Sequence, residues 1–178
     1  RRLNVALVDI GAGTSDIALT DQGTITAYGM VAKAGDEITE AISDQYLLDF
    51  NEAERVKRDL TENGKATLTD ILGFEETVTL DELAEAIAPA IETLAQQIAD
   101  QIISLNNRAP KAVMLVGGGS LTPRLTNALA HKLNLPDNRV ATRGVDAIQN
   151  LETLVKIPSG PTFITPIGIG IAAKQNPV

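Results

Sequence analysis

The chain has 178 residues, 44% of them hydrophobic, and its 15 Lys and Arg stand against 23 Asp and Glu, a formal charge of −8. That is enough apolar material for one medium domain with a real core. An acidic balance with no basic run excludes a nucleic-acid binder that works through clustered Lys and Arg on the phosphate backbone. With no Cys there is no disulfide, thiol nucleophile or thiolate metal site. The longest apolar runs, near Ala112–Val116 and 164–173, are well short of the roughly 20 residues a membrane-spanning helix takes.

Arg1-Arg2 lead straight into Leu3-Asn4-Val5-Ala6-Leu7-Val8, a buried strand rather than a leader, so the chain is expected to be a piece of a longer protein. Gly11-Ala12-Gly13 breaks the strand over 3–10, and the alternation of Ile17 and Leu19 resumes it; Asp21-Gln22-Gly23 then turns into a third strand over 24–31. This opening predicts an antiparallel meander. Ile38, Ala41, Ile42, Tyr46 and Leu47 recur at helical spacing and predict a helix over 36–49. A second helix is expected over 52–61, capped by Asn51 and ended by Asn63-Gly64. Segments 65–71 and 75–79 suit a small hairpin. Thr79 and Glu82 form a capping-box pattern ahead of an amphipathic helix over 80–106, which Pro89 should kink or break. Beyond Pro110, a buried strand at 112–116, a glycine turn at 117–119 and a helix over 122–133 make an α/β unit. A short edge strand at 139–141 and a last helix from Thr165 to about Lys174 complete the reading.

Three stretches carry possible chemistry. In Asp9-Ile10-Gly11-Ala12-Gly13-Thr14-Ser15-Asp16, the glycines leave the turn free of Cβ atoms, so its N–H groups can approach phosphate oxygens. Thr14 adds a hydroxyl donor, and Asp9 and Asp16 flank the turn where a magnesium ion would offset phosphate charge. The same pattern also serves an ordinary hairpin. Val116-Gly117-Gly118-Gly119-Ser120 lets backbone lie flat against a sugar or base ahead of a helix N-terminus, or simply packs helix against strand. In Glu54-Arg55-Val56-Lys57-Arg58, the residues Glu54, Lys57 and Arg58 share one helix face, where a carboxylate can accept ribose hydroxyls and cationic stems can pack on a base. The plain alternative is a surface Glu54–Arg58 ion pair. His131 has no partner His or Cys in sequence and reads as a surface or packing residue, and Asp36-Glu37 as charge favoured by a helix dipole.

The order and spacing of these stretches resemble the nucleotide-binding second lobe of the actin-like ATPase superfamily, which includes actin, sugar kinases, DnaK-type chaperones and the FtsA cell-division proteins. The run 9–16 is similar to its second phosphate motif, Asp-hydrophobic-Gly-Gly-Gly-Thr-X-Asp, and 116–120 to its adenosine motif. The run 54–58 is similar to the chaperones' adenine-clamp helix. Gly35-Asp36-Glu37-Ile38-Thr39 resembles the Gly-Asp/Asn-X-Ile-Thr segment of FtsA, and Thr165-Pro166-Ile167-Gly168-Ile169-Gly170 the Pro-X-Gly entry to the closing helix. Ala12 departs from the usual middle glycine, and Leu121 stands where chaperones place a base-stacking arginine.

The resemblance implies an α/β fold: a ribonuclease H-like actin-type ATPase lobe, with a mixed sheet flanked by helices and a small inserted subdomain at about 50–80. Residues 1–178 would be the C-terminal lobe, closest to the FtsA and PilM type. It implies ATP and Mg2+ as cofactors. Asp9, Gly11, Ala12, Gly13, Thr14 and Ser15 would serve the β- and γ-phosphates, and Asp9 and Asp16 the metal. Gly117, Gly118, Gly119 and Ser120 would face ribose and α-phosphate, with Glu54, Lys57 and Arg58 at the adenine. No catalytic residue falls in this chain, so the isolated fragment is expected to be inactive without the first lobe of the same protein. The function implied is nucleotide-regulated assembly or scaffolding in cell division, in the cytoplasm, with any membrane attachment supplied by other segments. A DnaK-like or reactivating chaperone lobe and a degenerate scaffold that no longer binds nucleotide are the alternatives.

Overall fold

The computed structural model describes residues 3–144. The first three strands, β1 (Val5–Ile10), β2 (Ser15–Asp21) and β3 (Thr24–Val31), form the expected antiparallel meander. Alternation along β1 is strict: Ala6, Val8 and Ile10 are buried, and Val5, Leu7 and Asp9 between them are half-buried. A strand of period two therefore gives one face to the core and leaves Asp9 on the other. Two further strands, β6 (Ala112–Val116) and β7 (Val140–Thr142), add in parallel, so the sheet order is β3-β2-β1-β6-β7.

Helices α1 (Gly35–Tyr46) and α2 (Phe50–Asn63) follow the meander. The first ends three residues before the sequence suggests. Leu47 turns left-handed, and the Leu48 N–H reaches back to Ser43 O at 3.0 Å. The cap of α2 is Asp49 rather than Asn51: its Oδ1 accepts the Glu52 N–H at 2.9 Å, and its carbonyl already accepts from Ala53. Gly64, left-handed at φ 76°, ends α2 as expected. The hairpin β4 (Lys65–Thr69) and β5 (Glu75–Thr79) forms a separate two-stranded sheet, with a tip that exposes Ile71, Leu72 and Phe74.

The long apolar stripe is two helices, α3 (Leu80–Ala86) and α4 (Ala88–Asn106). Pro89 falls in the first turn of α4, where its missing N–H has no intrahelical partner to lose. Asn107, left-handed, ends α4 ahead of Pro110. Ile91, Leu94, Ile98 and Ile102 of α4 join Ala6, Val8, Ile10, Ile17 and Leu19 of the sheet in one apolar core.

The glycine turn does not lead directly into a helix at Thr122. A short 3₁₀ turn covers Gly118–Leu121, and α5 spans Leu125–Lys132. Thr122 precedes Pro123, whose ring pushes it to an extended conformation (φ −54°, ψ 125°), and this delays the helix. His131 is exposed on α5. No helix among the described residues is long and apolar enough to cross a membrane. The expected helix at 165–174, with the Thr165–Gly170 motif, lies outside the described residues.

Candidate functional site

The turn from β1 to β2 is closed by the Gly11 N–H donating to Thr14 O at 3.0 Å. The N–H groups of Ala12, Gly13 and Thr14 take no backbone partner among the described residues, so the turn presents several donors to solvent on an exposed rim. None of Gly11, Ala12 and Gly13 has a positive φ. Ala12 is therefore accommodated without strain, and the glycines clear space rather than supply a left-handed bend. The N-terminus of α1 docks under this turn, with Gly35 N–H donating to Gly11 O at 3.0 Å and Asp36 N–H to Ala12 O at 2.8 Å.

Asp9 and Asp16 sit directly opposite each other across the β1–β2 pair, which puts both side chains on one face of the sheet. Burial raises the pKa of the Asp9 carboxyl. Burial also raises that of Asp16, the Asp9 charge adds to it, and a hydrogen bond from Thr14 partly offsets both. Two facing carboxylates that are costly to ionise together suit a cation. No group of three or more His, Cys, Asp or Glu suited to a metal occurs among the described residues. An ion held between these two would complete its shell with water and ligand oxygens, which fits Mg2+ on a phosphate chain better than a protein-only cage.

Gly117 follows β6 with φ 85°, a region costly for residues with a Cβ; an added Cβ would overlap Asp9 Oδ1 and lie 2.6 Å from Ile10 O. The glycine turn is thus pressed against the end of β1, beside the carboxylate pair. Gly118 opens to free space, and Ser120 is turned inward, its Oγ donating to Gly117 O at 2.6 Å.

On α2, Lys57 Nζ donates to Glu54 Oε1 at 2.6 Å, to Thr39 Oγ1 at 2.7 Å and to Gly35 O at 3.3 Å, so all three ammonium donors are satisfied. Burial raises the Glu54 pKa, but hydrogen bonds from Lys57 and Thr39 outweigh it and hold the carboxyl below its ordinary value. The ion pair of this helix face is Glu54–Lys57, not Glu54–Arg58. Arg58 is exposed and takes no hydrogen bond or ion pair among the described residues, which leaves its guanidinium available at the cleft.

These stretches meet. A cleft of about 370 Å³ is lined by Gly11 and Ala12 from the first turn, Glu54, Lys57 and Arg58 from α2, and Gly118 and Gly119 from the glycine turn. Asp9 and Asp16 lie at the strand ends behind the first turn. Gly13, Thr14, Gly117 and Ser120 adjoin these residues in sequence but do not line the cleft, and Ser15 faces away from it: it is 0% exposed and its Oγ donates to Lys33 O at 2.7 Å, so its side chain braces the meander. Sequence reading quoted Gly35 and Thr39 only as part of a resemblance and gave neither a place at the cleft, and among the other lining residues it missed Thr61 and Glu62. Thr61 and Glu62 follow Arg58 by three and four residues on the same helix face, a spacing that was available to find them.

A profile of the family described as "Cell division protein FtsA" matches residues 6–168. The chain belongs to the FtsA family. FtsA of Bacillus subtilis is 26% identical over 186 residues, an alignment that covers 99% of this chain and 40% of that protein. The chain therefore spans less than half the length of this FtsA relative. Among solved structures, the PilM-PilN type IV pilus biogenesis complex superposes with a TM-score of 0.60 at 22% identity, over 96% of this chain and 46% of that one. Ethanolamine utilization protein EutJ from Carboxydothermus hydrogenoformans gives 0.59 at 22% identity, over 85% and 47%. Both share the fold, so this FtsA-family chain has the mixed-sheet α/β architecture of an actin-like ATPase domain.

Proposed function

We propose that this chain is the C-terminal nucleotide-binding lobe of an FtsA-type actin-like protein, and that Mg·ATP held in its cleft regulates assembly and partner binding in cell division. One observation carries the reading: stretches around residues 11, 57 and 118 converge on a single cleft. Beside it, the free amides of Ala12, Gly13 and Thr14 receive the β- and γ-phosphates, and the Thr14 hydroxyl, which donates to Asp16, holds that carboxylate in place. Asp9 and Asp16 hold Mg2+, which would offset the phosphate charge there. The 117–120 turn lies along ribose and α-phosphate, Glu54 accepts ribose hydroxyls, and Arg58 covers the base.

Residues 1–178 act as one lobe with a small inserted subdomain at about 50–80, whose exposed tip is available to partners. The opposing lobe of the same polypeptide supplies whatever positions a water for hydrolysis. The reading places the protein in the cytoplasm, with membrane attachment through segments other than those described here. The FtsA match favours this over a chaperone lobe. A scaffold without nucleotide draws on Leu121, an exposed aliphatic residue at the cleft rim.

Calorimetry on the intact polypeptide decides between them. Magnesium-dependent ATP binding that disappears in Asp9→Ala and Thr14→Ala supports the nucleotide reading. Absence of any heat of binding in the wild type supports the scaffold and overturns it.

A further inference from the structure

Ser15 opens β2 immediately after the first turn, yet its hydroxyl is spent inward, on Lys33 O at 2.7 Å. Lys33 lies between β3 and α1, and the three residues after it direct their N–H groups in order. Ala34 donates to Glu37 Oε2 at 2.6 Å, Gly35 to Gly11 O at 3.0 Å and Asp36 to Ala12 O at 2.8 Å. The approach is close, since a Cβ added at Gly35 would lie 3.1 Å from Gly11 O. The first N–H groups of a helix have no intrahelical partner. Here two of them, those of Gly35 and Asp36, are committed to the turn and are not offered to an anion. What they hold is the orientation of two peptide units.

Every peptide bond among the described residues is trans, and in a trans peptide the C=O and N–H point in opposite directions. Drawing the carbonyls of Gly11 and Ala12 onto α1 therefore aims the N–H groups of Ala12 and Gly13 away from it. These are amides that take no backbone partner and stay free for an anion. We infer that Ser15 is a positioning residue for them: by pinning Lys33 O it fixes the 33–36 segment, and through that segment the aim of the turn. It touches no ligand itself. An anion accepting from the Ala12 N–H makes Gly11 O, in the same peptide unit, a better acceptor for Gly35. One accepting from the Gly13 N–H does the same for Ala12 O and Asp36, because hydrogen bonds in a chain reinforce one another. Without the Ser15 bond the turn populates other peptide orientations, and affinity falls by the fraction of molecules still in the competent one. This rests on the nucleotide reading above and adds what aims the amides.

The test uses the intact polypeptide with Mg·ATP and with adenosine, which reaches the cleft without phosphates. Ser15→Ala removes one oxygen and nothing else. The expected result is a loss of about fivefold in ATP affinity by calorimetry, the scale of one neutral hydrogen bond. Adenosine affinity, read by ligand-observed NMR, stays level. If Ser15→Ala does not fold, hydrogen exchange on the wild type serves instead: ATP should slow the Gly35 and Asp36 amides more than adenosine does, although neither amide touches a ligand. Unchanged ATP affinity, an equal loss for adenosine, or equal protection of Gly35 and Asp36 by the two ligands overturns the positioning role while leaving the nucleotide reading intact. Failure of the wild type to bind ATP at all overturns both.

Discussion

Asp9 and Asp16 set a cost that a cation can relieve. Both carboxyls titrate above their ordinary value, through burial first and, for Asp16, the facing Asp9 charge second. A group with a raised folded pKa binds more protons folded than unfolded, so its penalty is fully present at neutral pH and fades as the pH falls through the raised pKa. Asp16→Asn should therefore melt a few degrees higher than wild type at pH 7 without metal, with the gap closing at mildly acidic pH and on addition of Mg2+. Scanning calorimetry at several pH values checks this, and a lower melting point for the variant at pH 7 would contradict it. Gly117 gives a second residue-scale case. Its positive φ and the crowding against Asp9 Oδ1 and Ile10 O predict that Gly117→Ala loses about 2–4 kcal/mol in urea unfolding.

At the scale of elements, stability is concentrated unevenly. Thr79 caps α3 with a reciprocal pair, its Oγ1 accepting the Glu82 N–H at 3.3 Å and its own N–H donating to Glu82 Oε2 at 2.8 Å. Thr79→Ala should cost about 1 kcal/mol. Phe74 at the hairpin tip is 70% exposed, and Phe74→Ser should leave stability within about 0.5 kcal/mol. Urea denaturation curves of the two variants test the contrast; a larger loss at Phe74 would mean the tip packs against something. The same elements explain what was legible in sequence. The apolar stripe of 80–106 and its break at Pro89 could be read because helical periodicity and proline chemistry are local. The cap of α2 went to Asp49 rather than Asn51 because two candidates lay within one turn, and only the position of the first backbone hydrogen bond decides between them. The delayed start of α5 was present as Thr122-Pro123, an extended-favouring pair that the glycine turn overshadowed.

At the scale of the molecule, the sheet does what no local pattern states. Its parallel β1–β6 pairing sets Asp9 beside Val116, and this brings a turn near the start of the chain against a turn more than a hundred residues later. Motif order made that meeting an expectation by resemblance. What sequence did not offer was the inward use of Lys57, whose ammonium binds Gly35, Thr39 and Glu54 and leaves Arg58 as the cleft's available cation. Glu54 is a local neighbour on the same helix, but Gly35 and Thr39 lie on the preceding helix, and hydrogen bonds to them are tertiary facts. The convergence of these segments on one nucleotide is tested most directly by photolabelling the intact polypeptide with Mg·8-azido-ATP and mapping the modified peptides. The account predicts ATP-protected labelling within 54–62 and 118–123, the segments that line the nucleoside end of the one cleft. Labelling confined to other segments, with neither of these modified, would contradict it.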